Sequence, residues 1–310
     1  MLTNPSSIER LDRSESAFFA RETEHIMSRT FDFKPKMLKA FALIPINMEA
    51  GSGVSEITFR RFHAAGFAKV ISDYGKDFPR SDVFGEEETI KVKSIGNSYG
   101  YNIKEIRQAA RIGRRLDQRR AIAAREEHDR MANKMALLSM PEYQTRGVLD
   151  YPGITEAVLP ADGTGGSKRW AAKNVDQILR DIAVLLDAVS IPTYGREEPD
   201  TLLLPMQAYR ILTHTRLGDN TITLMKYIRK NHPEIRRIEW LNELNGLGAG
   251  GTDRVLVGTF NEGYVEWHRP LPFEQVSREQ NGMEFTIACH SECAGVIVYY
   301  PMAFAYADGL

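Results

Sequence analysis

Cysteine is scarce in this chain: only Cys289 and Cys293 occur in 310 residues, which excludes a disulfide framework. They lie in MEFTIACHSECAGVIVYY, which reads as strand, turn and strand. Two cysteines four residues apart on one extended strand stand about 13 Å apart, too far to bridge. Reduced, partly buried thiols are expected. Long apolar runs are missing too. None approaches the roughly 18 consecutive residues that span a bilayer, and the opening MLTNPSSIERLDRSES lacks the apolar core of a secretory signal. A soluble protein made in the cytoplasm, with no membrane partner, is expected.

Neither sign of charge dominates. The 40 basic and 41 acidic residues leave a net charge of -1, so no overall positive field holds nucleic acid, and any DNA contact has to be local. Common catalytic signatures are absent as well: there is no GxxxxGK[ST] loop, no HExxH, no GxSxG elbow and no paired CxxC. The one glycine-rich run, Gly246 to Gly251, precedes the strand-like DRVLVG, whereas a dinucleotide site needs a strand before the glycines and a helix after them. It is expected as a flexible loop. Cys289, His290, Glu292 and Cys293 are metal-ligand types, but residues this close on paired strands alternate between faces. No catalytic, cofactor-binding or metal residue is assigned, and no cofactor.

What is present is a globular composition, 43% hydrophobic, enough for real cores. Residues 1 to about 40 are charged and irregular, with a short amphipathic stretch around Phe18 to Met27 and a strand-like exit at Leu38 to Pro45. Residues 55–92 turn extended: ITFRRF and AGFAKVI are followed by a polar stretch, Asp73 to Asp77, and by ETIKVKSI, whose alternation suits a strand with one wet face. A two-stranded excursion of that kind is marginal alone and needs a partner surface.

Residues 102–139 hold no proline and many strong helix formers. Asn102 with Glu105 makes a capping-box start, and Pro141 with Gly147 ends the run. Such a helix is roughly 55 Å long. Its apolar positions, among them Ile106, Ile122, Met131, Met135 and Leu138, form one narrow stripe between arginines. Arg111, Arg115 and Arg119 follow an i, i+4 series. They read as a solvated face, as salt-bridge partners of a neighbouring subunit, or as a contact for nucleic acid.

After the connector ADGTGGSKR, apolar residues from Val175 to Val189 recur at helical spacing. Leu202 to Leu204 reads as a buried strand, Pro205 opens a helix, another runs from Thr221 to Lys230, and RRIEWL, DRVLVGTF and GYVEWH read as strands. Short helices and strands over 175–268 make an α/β subdomain. The closing strands FTIAC and GVIVYYP return to the part that carries the long helix.

This order resembles the Hong Kong 97-type major capsid protein fold of tailed phages over roughly residues 20–305. RIGRRLDQRRAIAAREEHDRMANKMALLSMPEYQTRGVLDYPGI resembles the spine helix and its exit loop, PDTLLLPMQAY the approach to the axial domain, and GVIVYYPMAFAY the final strand. The exit loop departs from the family pattern at Asp150, where an Asn is frequent.

The resemblance implies an α+β fold: an N-terminal arm (1–40), a peripheral domain (41–54 and 93–174) with spine helix 102–139, an extended β-hairpin loop (55–92), an α/β axial domain (175–268), and a return to the peripheral domain (269–310). It implies a non-enzymatic major capsid protein, made in the host cytoplasm and located in the virion. Its copies would form hexamers and pentamers of an icosahedral head enclosing double-stranded DNA. The implied partners are other copies, a separate scaffolding protein, the portal, packaged DNA on the inner face and, as a further candidate, a decoration protein. With so short an arm, no fused scaffolding domain is expected. Lys69, Lys76, Arg111, Arg115 and Arg119 are the inter-subunit candidates. An encapsulin-type nanocompartment shell and a soluble α/β enzyme are the alternatives.

Overall fold

The first described turn reverses a local expectation. In the computed structural model, which describes residues 38–65, 82–112, 119–218 and 222–310, the apolar stretch after Leu38 is a short helix, α1 (Ala40–Leu43), not a strand. Its cap comes from far along the chain: Asn133 Oδ1 accepts the Ala40 N–H at 3.0 Å, and Ala40, Leu43 and Ile44 are buried.

Strand β1 (Ile46–Asn47) follows. Next, β2 (Glu56–Ala65) pairs antiparallel with β3 (Asp82–Lys91), from Glu56 opposite Lys91 to Ala65 opposite Asp82. The expected strand ETIKVKSI is broken at Val92, whose N–H goes back to the Ser55 carbonyl at 2.9 Å; β4 (Lys93–Asn102) then joins a different sheet.

Within 102–139 the structure has α2 (Ile103–Ile112) and α3 (Arg119–Leu137). One half of the expected capping box is present: Glu105 accepts the Asn102 N–H at 3.2 Å, while Asn102 Oδ1 accepts the Lys104 N–H at 2.9 Å in place of that of Glu105. The buried stripe of α3 runs through Ala124, His128, Ala132 and Ala136 in four-residue steps, while Ile122, expected inside, is half exposed. Small residues on that stripe let the helix lie close to β4.

The end of α3 is closed by the chain itself. Val148 and Leu149 donate to the Ala136 and Leu137 carbonyls, each at 3.0 Å, satisfying groups that a helix C-terminus leaves orphaned. Gly147 permits this approach, because a Cβ there would lie 2.3–2.5 Å from the backbone of Leu137 and Leu138. Asp150 accepts both the N–H and the hydroxyl of Ser139 at 2.8 Å, so the departure from Asn leaves a fully bonded turn.

Beyond β5 (Thr155–Glu156) come α4 (Val175–Ser190), β6 (Thr201–Leu204), α5 (Met206–His214), α6 (Leu224–Asn231), β7 (Arg237–Trp240), β8 (Arg254–Gly258) and β9 (Val265–His268). Helix α4 begins with a reciprocal capping box between Asn174 and Gln177. The chain closes with β10 (Leu271–Gln275), β11 (Glu279–Asn281), β12 (Glu284–Cys293), β13 (Gly295–Val298) and β14 (Phe304–Asp308).

A five-stranded sheet in the order β5-β14-β8-β6-β7 separates two cores. Leu203, Leu256 and Phe304 face one side, where they meet Trp267, Val296, Met135 and α1. Leu202, Leu204, Val255, Val257, Ala305 and Ala307 face the other, under α4, α5 and α6. Both faces being covered explains why Leu202 to Leu204 are all fully buried. This sheet takes β5 and β14 from outside the stretch 175–268. A three-stranded sheet, β1-β9-β13, backs the first core. Strand β12 pairs with β4 along its whole length, from Glu284 opposite Asn102 to Cys293 opposite Lys93, and holds β10 and β11 on its other edge. The architecture is mixed α+β.

Candidate assembly surfaces

The β2–β3 ribbon is rooted by Ile57, Phe59 and Ile90, which pack with Ala294, Ile297 and Tyr299. The Phe59 and Tyr299 rings meet edge to face at 5.7 Å. The Tyr299 hydroxyl donates to Glu266 at 3.0 Å, and burial together with that carboxylate pushes its pKa up. At the same level Glu88 accepts from Arg61 at 2.8 Å and from Arg146.

Further out the ribbon leaves the body. Arg60 and Glu87 pair across the strands at 2.6 Å, and Phe62, Val83 and Phe84 are more than 60% exposed. Phe62 lies opposite Gly85, where an added Cβ would come within 3.1 Å of the Phe62 ring. Large apolar side chains on a projecting two-stranded ribbon are a surface that lacks its cover. Residues 66–81, with Lys69 and Lys76, lie outside the described residues.

Of the arginine series, Arg111 is exposed at the end of α2 and Arg119 at the start of α3; Arg115 lies outside the described residues. Arg120 is committed within the subunit: it binds both Glu105 oxygens at 3.0 Å, donates to the Gly100 carbonyl at 2.5 Å and stands over Tyr101. The Arg120 hydrogen bond holds the Glu105 pKa below its usual value. Arg125 pairs with Asp129 at 3.7 Å, one turn on.

Cys289 and Cys293 are free and buried, and burial raises both thiol pKa values. They share the inward face of β12 with Ser291; His290 approaches Glu274 at 3.6 Å and Glu292 accepts from Gly53 at 3.1 Å. The four ligand-type side chains therefore do not converge, and among the described residues no group of three or more such side chains could hold a metal. No helix there is long and apolar enough to cross a membrane. The glycine run is an ordered turn rather than a flexible loop: Gly246 donates to Asp253, Gly248 to Thr252 and Ala249 to Asp308, all within 2.9 Å.

A cleft of about 450 Å³ opens between the ribbon root (Thr89 to Lys91) and the turn after α3. Of its charged groups, Asp150 is engaged with Ser139 and Arg146 with Glu88, while Lys91 is exposed. Sequence reasoning missed Glu88 and Arg146, which no local pattern ties together.

A family model described as major capsid protein matches residues 66–310. The chain belongs to the major capsid protein family. It is similar to the solved capsid of Myoviridae phage XM1, 20% identical, with a TM-score of 0.78 over 94% of this chain and 98% of that one. A structure from Microbacterium phage Oxtober96 is 11% identical, with a TM-score of 0.64 over 94% and 98%. A virus-like particle from Pyrococcus furiosus is 13% identical, with a TM-score of 0.56 over 86% and 91%. At these identities the likeness is one of fold. No curated protein matches the chain by sequence.

Proposed function

We propose that the chain is the major capsid protein of a tailed phage and assembles into hexamers and pentamers of an icosahedral head that encloses double-stranded DNA. The observation that carries this reading is the ribbon. In a member of the major capsid protein family, Phe62, Val83 and Phe84 stand exposed on two strands that have no cover of their own, and a neighbouring copy supplies it.

The domain layout follows the Hong Kong 97 type: arm 1–40, extended loop 55–92, spine helix 102–139 in a peripheral domain, axial domain 175–268, and a return over 269–310. Arg111, Arg115 and Arg119 face a neighbour or packaged DNA, and Lys69 and Lys76 lie at the loop's contact with the next subunit. The role is structural and not enzymatic. A separate scaffolding protein, the portal and a decoration protein complete the head, which is built in the host cytoplasm. Negative-stain electron microscopy with analytical ultracentrifugation, with and without co-expressed scaffold candidates, tests the reading. Closed particles that protect DNA from nuclease support it. Closed particles carrying an enzyme cargo instead point to a nanocompartment, and a strict monomer under all conditions overturns it.

A further inference from the structure

Among the described residues, the ribbon touches the body only along its first inward-facing rungs. Ile57 and Ile90 form the innermost, packed on Ala294 and Ile297. Phe59 and Glu88, directly opposite each other, form the next. Beyond it Asp82 to Glu87 are all exposed. Among the described residues, Glu88 is thus the outermost side chain of β3 that bonds to anything outside the ribbon.

Its carboxylate is shared between two guanidinium groups of different standing. Arg61 donates to Oε2 at 2.8 Å, but it belongs to β2 and moves with the ribbon. Arg146 donates to Oε1 from the turn that closes α3, beside the tightly packed Gly147, and stands over the Tyr151 ring at 5.6 Å. Under the ribbon root lies the cleft of about 450 Å³, which leaves room for tilting. An apolar root has no directional preference, whereas a charge-assisted hydrogen bond does.

We infer that Glu88 and Arg146 are positioning residues, whose ion pair sets the angle at which the ribbon leaves the body and couples that angle to the end of α3. The six residue-to-residue steps from Glu88 out to Asp82 span about 20 Å, so a tilt of about 10° at Glu88 moves Asp82 by about 3.5 Å. Such a displacement changes how one copy meets the next; this consequence rests on the shell reading, while the strut itself does not.

Spin labels at Asp82→Cys and Glu142→Cys, both exposed sites, read the angle directly in the full chain, since Cys289 and Cys293 are buried and stay unlabelled. The parent is expected to give a narrow distance distribution. Glu88→Gln and Arg146→Gln widen it about twofold, as the removal of a directional contact requires, and Arg146→Lys falls between. Arg61→Gln leaves the width unchanged. In assembly, Arg146→Gln gives particles of mixed diameter where the parent gives one. Unchanged widths in both Gln variants, or equal widening by Arg61→Gln, overturn the strut. A parent that never closes into shells sinks the shell reading instead, with the label distances still judging the strut.

Discussion

Nε2 of His128 lies 2.9 Å from Asn97 Oδ1, inside the seam where α3 crosses β4 and β12. Asn97 Nδ2 donates to the Ala124 carbonyl at 2.9 Å. Its carbonyl therefore faces the ring, the imidazole carries its proton on Nε2, and Nδ1 accepts from the Ser291 hydroxyl at 3.0 Å. A neutral histidine thus stitches the long helix to both strands beneath it.

Burial lowers the pKa of His128 below its ordinary value of 6.5, and burial does the same to His268. The folded chain takes up these protons less readily than the unfolded one, so acid favours unfolding. Stability is fully present above about pH 6.5 and declines below it until the depressed folded values are passed. Replacing His128 with Gln should make the decline shallower, by at most about 1.4 kcal/mol per pH unit for one group. Thermal unfolding between pH 7.5 and 5 measures this; an unaltered slope would show that the ring titrates alike in both states.

Gly147→Ala places a methyl group against the backbone of Leu137 and Leu138, neither of which has anywhere to go. A loss of about 3 kcal/mol is expected from overpacking at a site this tight. Gly263→Ala, with open space around it, should change stability by less than about 0.5 kcal/mol. Urea unfolding of the pair checks both; equal midpoints would refute the close-packed turn.

Both thiols should be silent to Ellman's reagent in the folded chain and both should react in denaturant, since each is buried and has its pKa raised. Rapid reaction of either thiol without denaturant would contradict the placement of β12.

Deleting residues 60–85 leaves the ribbon root, with Ile57, Phe59 and Ile90, on the body. The shortened chain should stay folded and soluble yet sediment as a subunit under conditions where the parent closes into shells. Normal shells from the deletion would remove the ribbon from the assembly mechanism.

Much of this architecture is legible in the sequence because the signals are local. The spacing of Val175 to Val189 marks α4, Asn102 and Glu105 mark the start of α2, and Leu202 to Leu204 mark a strand buried on both faces. What is not legible depends on distant partners. The helix at Ala40 needs Asn133 as its cap. The break at Val92 arises because the chain changes sheets there, while the alternation of side chains runs straight through. The order of the glycine run comes from Asp253 and Asp308. Within the candidate surface the ribbon is readable as an extended pair of strands, but the ties of Arg120 to Glu105 and of Arg146 to Glu88 depend on the folded chain.

Strand β14 fills an interior slot of the five-stranded sheet, between β5 and β8, and contributes Phe304 to one core and Ala305 and Ala307 to the other. Chains leave the ribosome amino end first, so the ribbon emerges long before the strand that completes the body behind it. A nascent subunit therefore exposes its ribbon while its own sheet still has a gap. Completion of that sheet waits on synthesis reaching residues 304–308, which staggers the birth of the ribbon and the birth of the body behind it.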